Sequence, residues 1–301
     1  MPQITANGIS FEYDEFGPAD GEPIVLIMGF GAQMIFWPDG FCQALADAGY
    51  RVIRFDNRDI GLSHQFDDKG VPDIAAVMQK SLAGEDASDL VPYTLDDMAA
   101  DSAALIEAFG AKPAHIVGAS MGGMIAQLLA LDYPDHVRTL TAMMTTSGDP
   151  SLPPSQPDAL AALTAQPASP ARDDVVKVGV HARKTIGSHP DVRDSDDVIR
   201  AKVSTGYDRA YRPLGVLRQY GAIMAQTPWF DRLGAVDMPT LVVHGVEDPL
   251  LPITSGRDVA ARIRGAEIAE IEKWGHDMPD VLIPELAGTI SRFLSRAYST
   301  T

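Results

Sequence analysis

The sequence predicts an α/β protein: a mostly parallel, doubly wound sheet covered by helices on both faces, with a helical segment inserted in its second half. Three observations carry this. Continuous apolar runs alternate with helix-patterned stretches along most of the 301 residues. Between about 149 and 235 that rhythm stops in a proline-rich stretch. One serine, Ser120, stands between glycines where a strand pattern meets a helix pattern.

The chain opens with β-prone runs around Ile4 and from Ile9 to Phe16. They flank Asn7-Gly8, a pair that accepts the positive φ of a tight hairpin turn. PIVLIMG (23–29) is apolar throughout, which predicts a strand buried on both faces. A helix follows from about Pro38 to Ala48 and stops at Gly49, and RVIRFD (51–56) is the next strand. TLDDMAADSAALIEAF (94–109) repeats apolar residues at helical spacing, with Thr94 suited to cap its start and Gly110 its end. HIVGAS (115–120), VRTLTAMM (137–144), TLVVHG (240–245) and AEIAEI (266–271) read as further strands. Helices are expected near 122–132, 253–264 and 280–297. The interruption starts as DPSLPPSQPDALAALTAQPASPARDD and continues as a helical stretch holding Tyr207, Tyr211, Leu217, Tyr220, Met224 and Trp229. A disordered linker would not carry so many large apolar side chains. The expected organisation is therefore a core of 1–148 and 236–301, with a helical cap, 149–235, inserted before TLVVHG.

Composition narrows the function classes. With 41 acidic and 24 basic residues the formal net charge is -17, which disfavours nucleic acid and anionic membrane surfaces and favours solubility. The one cysteine, Cys42, forms no intramolecular disulfide and reads as a small core residue on a helix. The first residues lack a basic start and an apolar run, and no stretch reaches the ~20 apolar residues of a membrane span. The expectation is a cytoplasmic protein, monomer or homodimer, acting on a small molecule. HExxH and CxxC are absent, so neither a metal nor a cofactor is expected.

The chemistry centres on Gly118-Ala119-Ser120-Met121-Gly122-Gly123, a G-x-S-x-G pattern preceded by the strand HIVGA and followed by the helix pattern GMIAQLLALDY. A serine on so tight a bend is lifted clear of the sheet, beside the positive end of a helix, and bulky neighbours would collide there. A hydroxyl needs a base to take its proton. Of seven histidines, His276 is placed best, in a loop between the last strand and the final helix. Its rival His244 lies inside an apolar strand and reads as a hydrogen-bonded core residue. His115 reads as opening a strand at the opposite edge of the sheet. The base needs a carboxylate to fix its tautomer. Asp248 follows TLVVHG at a strand's carboxyl end, and the order Ser120, Asp248, His276 is the one expected around such a bend. Asp149, read as ending the preceding strand, is the alternative acid, and Glu247 and Asp277 read as solvated loop charges. The backbone N–H groups of Met121 and Phe30 are the candidate oxyanion donors. The Phe30 loop lacks the lysine of a P-loop and the glycine spacing of a dinucleotide site.

Taken together, the order of the three residues, the serine bend and the insertion resemble the α/β-hydrolase family over nearly the full length. VIRFDNRDIGLS (52–63), GASMGG (118–123), VEDPLLP (246–252) and GHDMP (275–279) are similar to bacterial carboxylesterases of the aclacinomycin methylesterase and haloperoxidase-like group. In that family Asp56, Arg58, Gly61 and Ser63 match a D-x-R-x-x-G-x-S segment, here read as structural. The family's usual His-Gly before the oxyanion donor is Met28-Gly29 in this chain, a change that a backbone donor tolerates. The nucleophile position holds serine, unlike haloalkane dehalogenases and epoxide hydrolases. The tryptophan of the G-x-S-W-G pattern of proline iminopeptidases is missing, which makes amide cleavage less favoured.

The resemblance implies a serine esterase forming an acyl-enzyme. Expected substrate-binding residues are Met34 and Trp37, with Phe30 and Phe36, on one side and Tyr207, Met224 and Trp229 on the other, suited to a small to medium, largely apolar ester. About half of these are expected to pack the insertion onto the core instead. Other reactions on the same three residues stay open: lactone hydrolysis, perhydrolysis, C–C bond hydrolysis or hydroxynitrile cleavage. A slowly hydrolysing ligand receptor is the alternative outside enzyme turnover.

Overall fold

The computed structural model describes residues 2–298. Its centre is an eight-stranded sheet in the order β1-β2-β4-β3-β5-β6-β7-β8. The strands are β1 (Gln3–Ala6), β2 (Ile9–Phe16), β3 (Glu22–Ile27), β4 (Tyr50–Phe55), β5 (Ala114–Ala119), β6 (Val137–Met143), β7 (Thr240–Gly245) and β8 (Glu267–Ile271). β1 and β2 form the hairpin read from the sequence, with Ala6 opposite Ile9 and both Asn7 and Gly8 at positive φ. β2 pairs antiparallel with β4, and every pairing from β4 to β8 is parallel.

The helices are α1 (Asp39–Asp47), α2 (Ile74–Leu82), α3 (Leu95–Ala108), α4 (Met121–Asp132), α5 (Pro157–Leu163), α6 (Arg172–Ile186), α7 (Asp196–Arg209), α8 (Pro213–Ala225), α9 (Ile253–Arg262) and α10 (Ile283–Tyr298). Period-two alternation in the strands divides the core in two. Val25, Ile27, Ile53, Phe55, Ile116 and Leu140 face α3, α4 and α9. Ile24, Leu26, Val52, Val117 and Val243 face α1 and α10, meeting Phe41, Leu45, Leu286 and Phe293. Both faces are covered, so β3 is apolar from Pro23 to Ile27 and β5 from Ile116 to Ala119. Thr94 starts α3 as expected: its N–H donates to the Asp97 carboxylate at 2.8 Å, three residues on. No helix among the described residues is long and apolar enough to cross a membrane.

Helices α5 to α8 lie between β6 and β7, where the sequence loses its β-α rhythm. They meet the loops that leave the carboxyl ends of the strands. Gln33 Nε2 donates to the carbonyls of Gly206 and Ala210 at 2.6 and 2.9 Å. Arg209 pairs with buried Asp56 at 2.7 Å, and Arg218 makes a two-pronged pair with Asp59 at 2.8 and 2.7 Å. Helix α2, for which the sequence offered no reading, packs its Val77 against Ala225 of α8.

His115 lies at the amino end of β5, opposite the end that Ser120 follows, as read from the sequence. One local reading is corrected. β6 ends at Met143, so Asp149 follows six residues later in a loop and does not terminate a strand.

Candidate active site

Ser120 joins β5 to α4 at φ 56° and ψ -122°, a conformation that a residue with a side chain adopts only when its surroundings force it. The forcing is visible. A Cβ at Gly122 would lie 2.0 Å from the Ile27 carbonyl oxygen, so α4 starts pressed against the end of β3. Bonds from the Ser120 N–H to Met143 O and from Thr145 Oγ1 to Ser120 O hold the bend in place.

The Ser120 hydroxyl lies 2.9 Å from His276 Nε2, and His276 Nδ1 lies 2.7 Å from Asp248 Oδ2. The three residues come from separate loops at the carboxyl ends of β5, β7 and β8. The other Asp248 oxygen, Oδ1, accepts the N–H groups of Leu250 and Leu251, both at 2.9 Å. That turn fixes the carboxylate before the imidazole reaches it. Asp149, the alternative acid, pairs instead with Arg262 at 2.5 Å.

The loop after β3 lies against the serine. A Cβ at Gly29 would sit 3.1 Å from Ser120 Cβ and 3.6 Å from its Oγ, so any larger residue would crowd the hydroxyl. Phe30 follows, and its ring tilts against Tyr220 of α8 at 5.9 Å between centroids. Met121 is the first residue of α4, where helix N–H groups have no intrahelical acceptor. Among the described residues neither the Phe30 nor the Met121 N–H has a protein acceptor. The next N–H along, of Gly31, is taken by Gln219 Oε1 at 2.9 Å, while Gln219 Nε2 donates to Arg58 O at 3.0 Å. The D-x-R-x-x-G-x-S segment supports the same loop. Asp56 accepts the Met34 and Leu62 N–H groups at 2.8 and 2.9 Å, and Asn57 donates to Met28 O at 2.8 Å. Burial raises the Asp56 carboxyl above the usual aspartate range, and the Arg209 cation opposes that rise.

His244 is fully buried, and its Nε2 donates to Leu251 O at 2.8 Å. It therefore braces the turn that holds Asp248, from 3.7 Å away from Asp248 Oδ2. Burial pushes its pKa down, which keeps it neutral. Glu247 is exposed as expected, but Asp277 is not a solvated charge. It accepts from both the N–H and the hydroxyl of Ser188, and burial raises its carboxyl. The sequence reading missed Asp277, Gln219 and Gln33 as site supports, because their partners lie 89, 188 and 173 residues away and no local pattern marks such pairs.

The aromatic and methionine residues expected to bind substrate scatter. Trp37 is fully buried, stacked on Phe41 in the core over α1. Trp229 packs beneath α4, with its indole N–H on Gln127 Oε1 at 3.1 Å. Tyr207 sits among Val176, Val180 and Ile199 within the helical segment, and its hydroxyl donates to Pro170 O. Met224 packs beside Val77 and Ala225. Met34 is fully buried beside Asp56, to which its N–H donates. The structure thus brings together Ser120, His276, Asp248, Phe30 and Met121. It gives Trp37, Trp229, Tyr207 and Met224 packing partners elsewhere, because large apolar side chains serve the cores as readily as a pocket.

Comparison with known proteins bears on the family and the fold. The chain is 30% identical to rhodomycin D methylesterase DnrP of Streptomyces peucetius, over 95% of each chain. It is 28% identical to rhodomycin D methylesterase DauP of Streptomyces sp. strain C5, also over 95% of each. The enol-lactonase of Burkholderia xenovorans LB400 superposes with a TM-score of 0.72 at 20% identity, covering 99% of this chain and 100% of that one. The model of the alpha/beta hydrolase fold matches residues 22–281, and the chain therefore belongs to that family.

Proposed function

We propose that the chain is a carboxylic ester hydrolase working through an acyl-enzyme on Ser120. The observation that carries the reading is the unbroken hydrogen-bond line from Ser120 Oγ through His276 to Asp248, at 2.9 and 2.7 Å. In the proposed first step Ser120 attacks the ester carbonyl while His276 Nε2 takes its proton. Asp248 stabilises the imidazolium and holds Nδ1 as the donor. The N–H groups of Phe30 and Met121 receive the oxyanion. His276 then returns its proton to the leaving alcohol, and a water activated by the same imidazole releases the acid. The methylesterase names of two relatives that span the chain support ester chemistry. Helices α5–α8 act in this reading as a cap over the site, and the substrate is a small to medium, largely apolar ester.

The test is hydrolysis of p-nitrophenyl esters from acetate to long acyl chains by wild type and Ser120→Ala. Turnover that the substitution reduces by roughly 10³-fold or more is expected. Equal turnover by both proteins, or none by a folded wild type, removes the proposal.

A further inference from the structure

A cavity of about 770 Å³ is lined in part by Asp277 and Met278, the two residues that follow His276, and by neither Ser120 nor His276 itself. Ile35 and Phe36, which follow the oxyanion loop, form one wall, and Ile199 and Val203 of α7 form another. Met278, two residues after the histidine, and Ile283 of α10 close the third. The volume lies within the range of small-molecule sites, ~300–1,000 Å³, and the walls are mainly apolar.

Into this space α6 sends Arg183. Its guanidinium carbon stands 4.4 Å from the Phe36 ring centroid, a stack that engages one face of the planar group. No hydrogen bond or ion pair reaches its N–H edge from any described residue. The other charges in the wall are matched. Arg54 holds Asp39 at 2.7 Å, Lys202 holds both Asp194 and Asp280 at 2.6 Å, and Asp277 accepts from Ser188. Asp277 also acts on Arg183 through space, but beyond ion-pair distance. An arginine stays protonated even where burial disfavours its charge, so a fork lacking acceptors gains most when a planar anion meets it with two oxygens.

We propose that this cavity binds a monocarboxylate with an apolar body, its carboxylate on Arg183 and its body against Phe36, Ile199 and Val203. Two sources share that chemistry. One is the far end of an ester whose reacting bond lies at Ser120, and this source rests on the esterase reading above. The other is a free acid, the reaction's own product included. Because Asp277 and Met278 belong to both the cavity wall and the histidine loop, either occupant meets the loop that carries His276.

Direct binding comes first, by titration calorimetry of phenylbutyrate and its neutral amide against Ser120→Ala protein. The same titrations are run with Arg183→Met and Arg183→Lys added, and thermal melting confirms that each variant folds. The acid is expected to bind about tenfold or more tightly than the amide, a preference lost in Arg183→Met and partly kept in Arg183→Lys. Equal binding of acid and amide, no binding by the folded protein, or an acid preference that survives Arg183→Met overturns the proposal. Hydrolysis then separates the sources, using mono-p-nitrophenyl adipate and its methyl-capped diester. A higher kcat/KM for the anionic ester that Arg183→Met abolishes assigns the site to substrate. Acid binding without that preference assigns it to a free acid. Acid binding by a protein that hydrolyses no ester keeps the site and removes the esterase reading.

Discussion

Ser188 donates two hydrogen bonds to Asp277, one from its backbone N–H at 3.1 Å and one from its hydroxyl at 2.5 Å. The same hydroxyl accepts the Gly275 N–H at 3.1 Å, and the His276 N–H donates to Ile186 O at 2.8 Å. The histidine is thus tied on both sides to the end of α6.

Ser188→Ala removes the hydroxyl from this clasp and leaves the fold. Its expected signature is a kcat reduced about tenfold on p-nitrophenyl acetate with KM little changed, and a stability loss of about 1–2 kcal/mol. An unchanged kcat would show that the loop holds its place without the hydroxyl.

Asp277→Asn tests the buried carboxylate by its pH dependence. Burial raises the Asp277 pKa in the folded state, so its contribution to stability is complete below the unfolded value, ~3.9, and is lost as pH rises through the folded one. Asparagine does not ionise. The Tm of the variant should therefore gain on that of wild type as pH rises above about 4. A Tm difference constant with pH contradicts the assignment.

His115 gives the opposite sign. It is 1% exposed, with Nδ1 on Thr139 Oγ1 at 2.9 Å, and burial pushes its pKa from 6.5 down to about 4. The folded state favours the neutral ring, so its contribution is present above the unfolded pKa and is lost as pH falls through that window. The loss is about 3 kcal/mol, read as unfolding free energy from denaturant titrations at a series of pH values. His115→Asn should flatten that stretch of the profile.

Two glycine substitutions should part activity from folding. Gly29→Ala places its methyl 3.1 Å from Ser120 Cβ, a contact that a slight shift relieves, so a folded protein with kcat/KM reduced about tenfold is expected. Gly122→Ala places its methyl 2.0 Å from the backbone oxygen of Ile27, where neither partner can yield, and little soluble protein is expected. Circular dichroism and ester hydrolysis on both variants decide the matter.

The parts legible in the sequence share a local cause. Ser120 stands out because strand and helix patterns meet at it, and Asp248 and His276 because each follows an apolar run closely. The inner strands β3, β5 and β7 were legible for the same reason: burial on both faces leaves a nearly continuous apolar run. Trp37 and Trp229 were not, since nothing local distinguishes an aromatic that packs on Phe41 or under α4 from one that meets a ligand. Asp277 read as a solvated charge because it sits between polar and turn-forming residues, whereas its partner Ser188 is contributed by the insertion. Arg183 gave no signal at all, because its stacking on Phe36 exists only once α6 lies over the core.

The attachment of the histidine loop to Ile186 and Ser188 limits how far this enzyme's parts can be exchanged. The helical segment looks like an interchangeable module, since it enters after β6 and leaves before β7. A chimera that swaps it whole would also replace the carbonyl on which His276 rests and the hydroxyl that holds Asp277. Recombination that spares 186–188 together with Gly206, Arg209, Arg218 and Gln219 keeps those supports, so the remaining positions of α7 and α8 are the ones open to exchange.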